Sequence, residues 1–110
     1  MGNCKSMPSP QTQFMQTAKV MFFNGIMKEF REPIKAGDII GHNSGYFLCH
    51  WDCLHIDKFM VSVNSEEELE LGDLYFLLPL CKLQYVLSVS DMAAMVFKAN
   101  SAIKQIISSR

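Results

Sequence analysis

The sequence lacks the excess of basic residues that marks a nucleic-acid-binding protein. Its 110 residues include ten Lys and Arg against eleven Asp and Glu, for a formal net charge of −1. Binding to DNA or RNA needs clustered basic side chains that displace counterions from the phosphates. We therefore expect no nucleic-acid partner.

Long apolar runs are also missing. The longest, from Leu74 to Cys81, is far shorter than the roughly 18–20 residues of a membrane-spanning helix. Residues 5–18 are polar and contain proline, which is unlike the apolar region of a secretory leader. The sequence therefore indicates an intracellular, reducing setting, in which its cysteines are expected to be reduced. They are Cys4, Cys49, Cys53 and Cys81.

Recognisable catalytic motifs are absent as well. The sequence has no nucleophile elbow, and the glycines of G-D-I-I-G at residues 37–41 do not have the spacing of a phosphate-binding loop. We predict a protein that is not an enzyme and needs no cofactor.

The stretch CHWDCLH at residues 49–55 raises an alternative, a thiol- or zinc-dependent protein that uses Cys49 and Cys53. Four positions along a strand span about 13 Å, whereas zinc holds each sulfur at about 2.3 Å. Only a tight turn at Trp51-Asp52 would bring the two thiols together, and the C-x₃-C spacing is not a usual zinc pattern. A strand, a turn and a second strand form the favoured interpretation.

The N-terminus carries an acylation motif. Residues 1–6, MGNCKS, fit the pattern M-G-x-x-x-[ST], which predicts N-myristoylation of Gly2. One myristoyl chain gives only marginal membrane binding, so firm attachment needs a second signal. Because Lys5 is the only basic residue among the first 18, palmitoylation of Cys4 would have to supply it. We interpret residues 1–17 as a flexible tether.

The first half of the chain predicts a hairpin, a short helix and further strands. Asn24-Gly25 between two apolar runs predicts a type I′ turn joining strands at about residues 19–23 and 26–31. The remaining predicted elements are a short helix over residues 35–45 that ends at Gly45, a strand over 46–50 and another short strand over 54–61.

The second half predicts a central strand and a helix. Ser65 can cap a helical turn with Glu68, and this use is favoured over the alternative that Ser65, which precedes three glutamates, is a phosphorylation site. Residues 74–80 form the most apolar predicted strand. After Ser90, a predicted N-cap, apolar residues recur at helical spacing from Met92 to Ile106.

Together these elements predict one α+β domain over residues 18–107. It has a small mixed sheet, an N-terminal hairpin, a short helix and a C-terminal amphipathic helix. The order of elements suggests a β-grasp (ubiquitin-like) sheet.

Four features make the chain resemble the PADRE-domain family of plants. They are MGNC, KVMFFNGIMKEFREPIKAGDII, GYFLCHWDCLHI, and LGDLYFLLPLCKL followed by a Ser-Asp-capped helix. The most specific piece is L-x-x-G-x-x-Y-F-L-L-P at residues 69–79. The resemblance covers about residues 1–104. It implies a role in responses to pathogens and abiotic stress, and it supplies no catalytic residues.

From these observations we predict a non-enzymatic stress-response adaptor that works through contacts with a protein partner of unknown identity. The acylated Gly2 and Cys4 would hold it at the cytoplasmic face of a membrane, and the plasma membrane is the favoured one. A second part of the protein would form a soluble cytosolic or nuclear pool. A small-ligand carrier is a third hypothesis, and it requires an apolar cavity.

Overall fold

The computed structural model describes residues 17–22 and 24–108. Over these residues the chain forms an α+β fold, as predicted. Its strands and α-helices, in chain order, are β1 (Ala18–Met21), β2 (Met27–Phe30), α1 (Ala36–Ile40), β3 (Tyr46–His50), β4 (Leu74–Pro79) and α2 (Val89–Ser108). Two 3₁₀ turns, Trp51–Cys53 and Leu80–Gln84, follow β3 and β4.

The four strands form one mixed sheet in the order β2-β1-β4-β3. β1 pairs antiparallel with β2 and parallel with β4, and β3 pairs antiparallel with β4. The apolar segment predicted as the central strand is therefore an interior strand with partners on both sides. A ubiquitin-like order stays a prediction.

Each face of the sheet is covered by its own apolar cluster. Alternate residues of β4 point to opposite faces, so Phe76 lies in one cluster and Leu77 in the other. The first cluster packs the sheet against α2, through Ala99 and Ala102. The second packs it against α1, through Ala36 and Ile39. This two-sided burial explains why residues 74–78 are apolar without alternation.

The predicted type I′ turn is wrong, although the hairpin is present. Gly25 has a φ of +88°, but the hydrogen bonds around it are not those of a two-residue type I′ turn. The amide of Gly25 donates to the carbonyl of Phe22 (3.0 Å), and the amide of Phe22 donates to the carbonyl of Ile26 (2.8 Å). The connection is thus one residue longer than predicted, with Gly25 at the left-handed position of a three-residue loop.

The strand predicted over residues 54–61 is also wrong. The segment makes only isolated bridges, Ile56 with Leu87 and Phe59 with Val86. Asp57 between them has a φ of +68°, the only positive value at a non-glycine among the described residues. This left-handed residue turns the backbone and breaks the alternation that a strand needs.

Both helices begin or end at residues that differ from the prediction. α1 stops at Ile40, and Gly45, with a φ of +88°, leads directly into β3. α2 begins at Val89, because the hydroxyl of Ser88 accepts a hydrogen bond from the amide of Asp91 (3.0 Å). Ser88 is therefore the N-cap and the assignment of Ser90 is wrong.

The predicted apolar stripe of α2 largely faces the sheet. Ala99 and Ala102 are buried, and Met92 and Met95 pack against the first cluster. Val96, counted in the same stripe, is 41% exposed. None of the helices in the described part of the chain is long and apolar enough to cross a membrane.

Candidate functional site

The predicted acylation sites Gly2 and Cys4 lie outside the described residues, as does most of the predicted tether. Thr17, the first described residue, is fully buried. The hydroxyl of Thr17 donates to a carboxylate oxygen of Glu29 on β2 (2.9 Å) and accepts from the ammonium of Lys19 (2.7 Å). Residues 1–16 therefore join the domain at the first residues of β1, beside the last residues of β2.

Ser65 lies in an exposed turn, and its predicted capping pair is wrong by one residue. The side chain of Asn64 accepts from the amide of Glu66 (2.8 Å), and the carboxylate of Glu67 accepts from the amide of Asn64 (3.2 Å). The capping pair is thus Asn64 with Glu67, not Ser65 with Glu68. The hydroxyl of Ser65 is therefore not the capping group of this turn. Phosphorylation of Ser65 stays a prediction.

The turn that carries Ser65 is held against α1. The carbonyl oxygen of Ser65 accepts from the amide of Gly37 (2.8 Å), and a Cβ added to Gly37 would come within 2.9 Å of that oxygen. This close approach explains why a glycine stands inside α1, where it costs helix stability.

Cys49, the first residue of the CHWDCLH stretch, is part of the apolar core. It lies in the first apolar cluster with no exposed surface. Burial in apolar surroundings raises the pKa of its thiol from 9.0 to about 11, although a hydrogen bond from the backbone at Val61 lowers it. A thiol with a raised pKa stays protonated near neutral pH, and a protonated thiol is a poor nucleophile and a poor metal ligand.

His50 in the same stretch holds three parts of the chain together. Its Nδ1 accepts from the amide of Asp52 (3.0 Å), which caps the 3₁₀ turn after β3. With Nδ1 accepting, Nε2 carries the proton and donates to the carboxylate of Asp73 (2.7 Å). The ring also meets the edge of Tyr75, with centroids 4.9 Å apart. These contacts give His50 a positioning role in the fold.

The zinc alternative receives no support from the described residues. Among them, no group of three or more His, Cys, Asp or Glu side chains is placed to hold a metal ion. Cys53 is half-buried in the 3₁₀ turn and His55 is exposed. The turn at Trp51-Asp52 exists, but it leaves Cys49 in the core.

A first depression, of about 370 Å³, lies between His50, Tyr75 and the loop of residues 61–70. Three glutamates, Glu67, Glu68 and Glu70, line it. The hydroxyl of Tyr75 accepts from the amide of Glu70 (2.9 Å). Burial raises the pKa of Tyr75 and the nearby carboxylates raise it further. The hydrogen bond between Tyr75 and Glu70 attaches the loop to β4.

A second depression, the apolar groove, has a volume of about 450 Å³ and lies on the α1 side of the sheet. Its apolar wall is formed by Phe22, Phe30, Ile34 and Ile39. All four belong to the second apolar cluster or pack against it. The groove is thus an open continuation of the core. The sequence did not predict it because its apolar wall comes from four segments: the residue after β1, β2, the loop that follows β2, and α1.

Apolar side chains are exposed together at the two isolated bridges. Phe59 and Val86, which are bridge partners, are 60% and 43% exposed, and Tyr85 is 65% exposed. Ile56, partner of Leu87, is 42% exposed. We call Ile56, Phe59, Tyr85 and Val86 the bridge surface. Exposed apolar side chains brought close together by backbone pairing are found at interaction sites.

No curated protein and no solved structure is significantly similar to the chain. The family model of the PADRE domain, in contrast, matches residues 1–110. The match agrees with the motifs at MGNC and at residues 69–79, and it spans both the described domain and the residues before it. The chain therefore belongs to the PADRE-domain family.

Proposed function

We propose that this PADRE-domain protein is a non-enzymatic adaptor in plant responses to pathogens and stress, tethered to a membrane by lipid at Gly2 and Cys4. The observation that carries the proposal is the bridge surface, where the exposed Phe59 and Val86 are bridge partners and the exposed Tyr85 precedes Val86. Tyrosine and other aromatic side chains contribute strongly to protein interfaces because they bury a large area at a small entropic cost.

The chemistry of the described side chains supports a binding role over catalysis. The buried thiol of Cys49 is held in its unreactive form, and both nitrogens of His50 are engaged in bonds that hold the fold. A catalytic histidine needs a nitrogen that faces substrate. The exposed groups of the bridge surface are instead apolar, which suits contact with another protein.

The proposed tether works by two acyl transfers. Hydrolysis of the Met1–Gly2 peptide bond first releases Met1 and frees the amine of Gly2. An acyl-coenzyme A thioester then gives its myristoyl group to that amine, so that an amide bond forms and the thiol of coenzyme A leaves. A second thioester exchange places palmitate on the sulfur of Cys4 and again releases the thiol of coenzyme A. Two chains are needed because one gives only marginal binding. The proposed location is the cytoplasmic face of the plasma membrane, with a soluble cytosolic or nuclear pool.

The tether is tested by fractionating plant cells that express the intact protein, Gly2→Ala or Cys4→Ser. We expect Gly2→Ala in the soluble fraction, because the transient contact that myristate provides precedes palmitoylation. Cys4→Ser should distribute between both fractions, because it keeps one chain. Both variants should unfold at the temperature of the intact domain. If Gly2→Ala stays on the membrane as firmly as the intact protein, the lipid tether is wrong.

The contact surface is tested by proximity labelling in the same cells, comparing Phe59→Ser with Phe97→Ser. Phe97 on α2 is 73% exposed and lies outside the bridge surface, so the two variants remove a similar exposed side chain. We expect a defined set of proteins to be labelled by the intact chain and by Phe97→Ser, and to be lost with Phe59→Ser. Equal labelling by all three would contradict the proposal.

A further inference from the structure

The apolar groove offers a site for an acyl chain. Its volume of about 450 Å³ falls within the range of roughly 300–1,000 Å³ that small-molecule sites have. Two aromatic and two aliphatic side chains form the wall, and they continue the apolar cluster beneath α1. An alkyl chain placed there would replace water against apolar surface, which is the main favourable contribution to binding such a ligand.

The groove lies beside the start of the described chain. Ala18 on β1 pairs with Phe30 of the groove wall, and Thr17 contacts Glu29 through its hydroxyl. Residues 1–16 therefore join the domain one residue before Ala18, whose strand partner Phe30 forms part of the groove wall. Gly2 is 15 positions from Thr17, and a chain of that length spans up to about 50 Å when extended. A lipid on Gly2 can reach the groove without any change in the domain.

The groove also has polar groups at its rim. Lys28, Asp38, His42 and Asn43 line it with the apolar residues. The ammonium of Lys28 lies 4.9 Å from the centre of the Phe22 ring, and the carboxylate of Asp38 already accepts from the amide of Lys35 (3.2 Å). The N–H groups of Lys28 and His42 can donate to the carbonyl oxygen of the amide that joins an acyl chain to Gly2, whereas the side-chain amide of Asn43 already donates to the carbonyl of Ile39 (2.7 Å). A site with an apolar wall and a few hydrogen-bond donors at its mouth suits an amide-linked acyl chain.

We infer that the apolar groove binds the myristoyl group of Gly2 when the protein is away from a membrane. The inference rests on the proposed acylation and names the place where the lipid lies in the soluble pool. The tether gives the acyl chain a millimolar effective concentration at the groove. A single myristoyl chain binds membranes only marginally, so even a weak groove can compete with the bilayer.

The inference is tested on full-length protein myristoylated in vitro, with the modification verified by mass spectrometry and no lipid vesicles present. Nuclear Overhauser effects from the acyl chain to Ile34, Ile39 and Phe30 are expected. Acyl signals without contacts to these residues, or with contacts to the bridge surface or α2 instead, would overturn the inference. Because acylation is imposed and verified, this outcome does not depend on whether cells acylate Gly2.

A second measurement uses sedimentation with anionic phospholipid vesicles. Phe30→Gln makes the groove wall polar, while Phe97→Gln makes the same change on α2, outside the groove. We expect Phe30→Gln to raise vesicle binding of the myristoylated protein about threefold or more, because the acyl chain is no longer held by the groove. Phe97→Gln should have no such effect, and neither variant should bind without myristate.

The variants are compared only where both melt as folded proteins. If Phe30→Gln does not fold, Ile34→Gln replaces it. Equal vesicle binding by intact protein and a folded groove variant, both myristoylated, would overturn the inference. The proposed tether would fail differently, through membrane-bound Gly2→Ala protein in cells.

Discussion

At the scale of single residues, the CHWDCLH stretch shows what spacing can and cannot predict. The C-x₃-C spacing argued against zinc, and Cys49 lies in the core while Cys53 follows it on a 3₁₀ turn. The role of His50 could not be predicted, because its partner Asp73 lies 23 positions along the chain. Tertiary contacts of this kind leave no local pattern in a sequence.

The buried thiol of Cys49 makes stability depend on alkaline pH. Burial raises its pKa from 9.0 to about 11, so below pH 9 the thiol is neutral in both states. Between pH 9 and 11 the unfolded chain loses the proton and the folded chain keeps it. Stability should therefore fall as pH rises through this window, by on the order of 2–3 kcal/mol. Urea unfolding at a series of pH values measures this loss.

Two variants separate this effect from other titrations. Cys49→Ala removes the thiol and should lose less stability over the same pH range, although it is less stable at every pH because it leaves a cavity. Cys81→Ala, at an exposed thiol, should follow the intact protein. The raised pKa of Tyr75 contributes to all three proteins and cancels in the comparison. Parallel pH profiles for Cys49→Ala and intact protein would contradict the prediction.

At the scale of elements, the sequence predicted which segments form helices and strands better than where they begin. Two predicted N-cap residues were wrong by one or two positions. Ser88 and Ser90 have the same side chain, and Asn64 and Ser65 are comparably good N-cap residues, so the sequence alone does not distinguish them. The start of α2 is decided by tertiary contacts. Leu87 exchanges backbone hydrogen bonds with Asp57 and Lys58, which keeps Leu87 extended and places the first helical residue after Ser88.

The assignment of the cap can be tested with two serines of the same helix end. Ser88→Ala should lower the free energy of unfolding by about 1 kcal/mol, because it removes the acceptor for the amide of Asp91. Ser90→Ala should change it by less than about 0.5 kcal/mol, since alanine is favourable inside a helix. Denaturant unfolding of both variants gives the comparison. A greater loss for Ser90→Ala would return the cap to Ser90.

At the scale of the whole molecule, the α+β class and the interior position of β4 could be predicted from the sequence. The unbroken apolar run of β4 required burial on both faces, and the two clusters on either side of Phe76 and Leu77 meet that requirement. The apolar groove and the bridge surface could not be predicted. Each is built from segments far apart in the chain, which only the folded backbone brings together.

The parallel pairing of β1 with β4 has a consequence for synthesis in the cell. Lys19 and Leu74 are register partners, 55 positions apart, whereas β2 lies only a few residues after β1. A ribosome that adds about 5–20 residues per second needs several seconds to make the intervening chain. During that interval the nascent β1–β2 hairpin has an open edge and two uncovered apolar faces. The newborn chain is most prone to aggregate before β4 emerges, so chaperones should be needed most at that stage of translation.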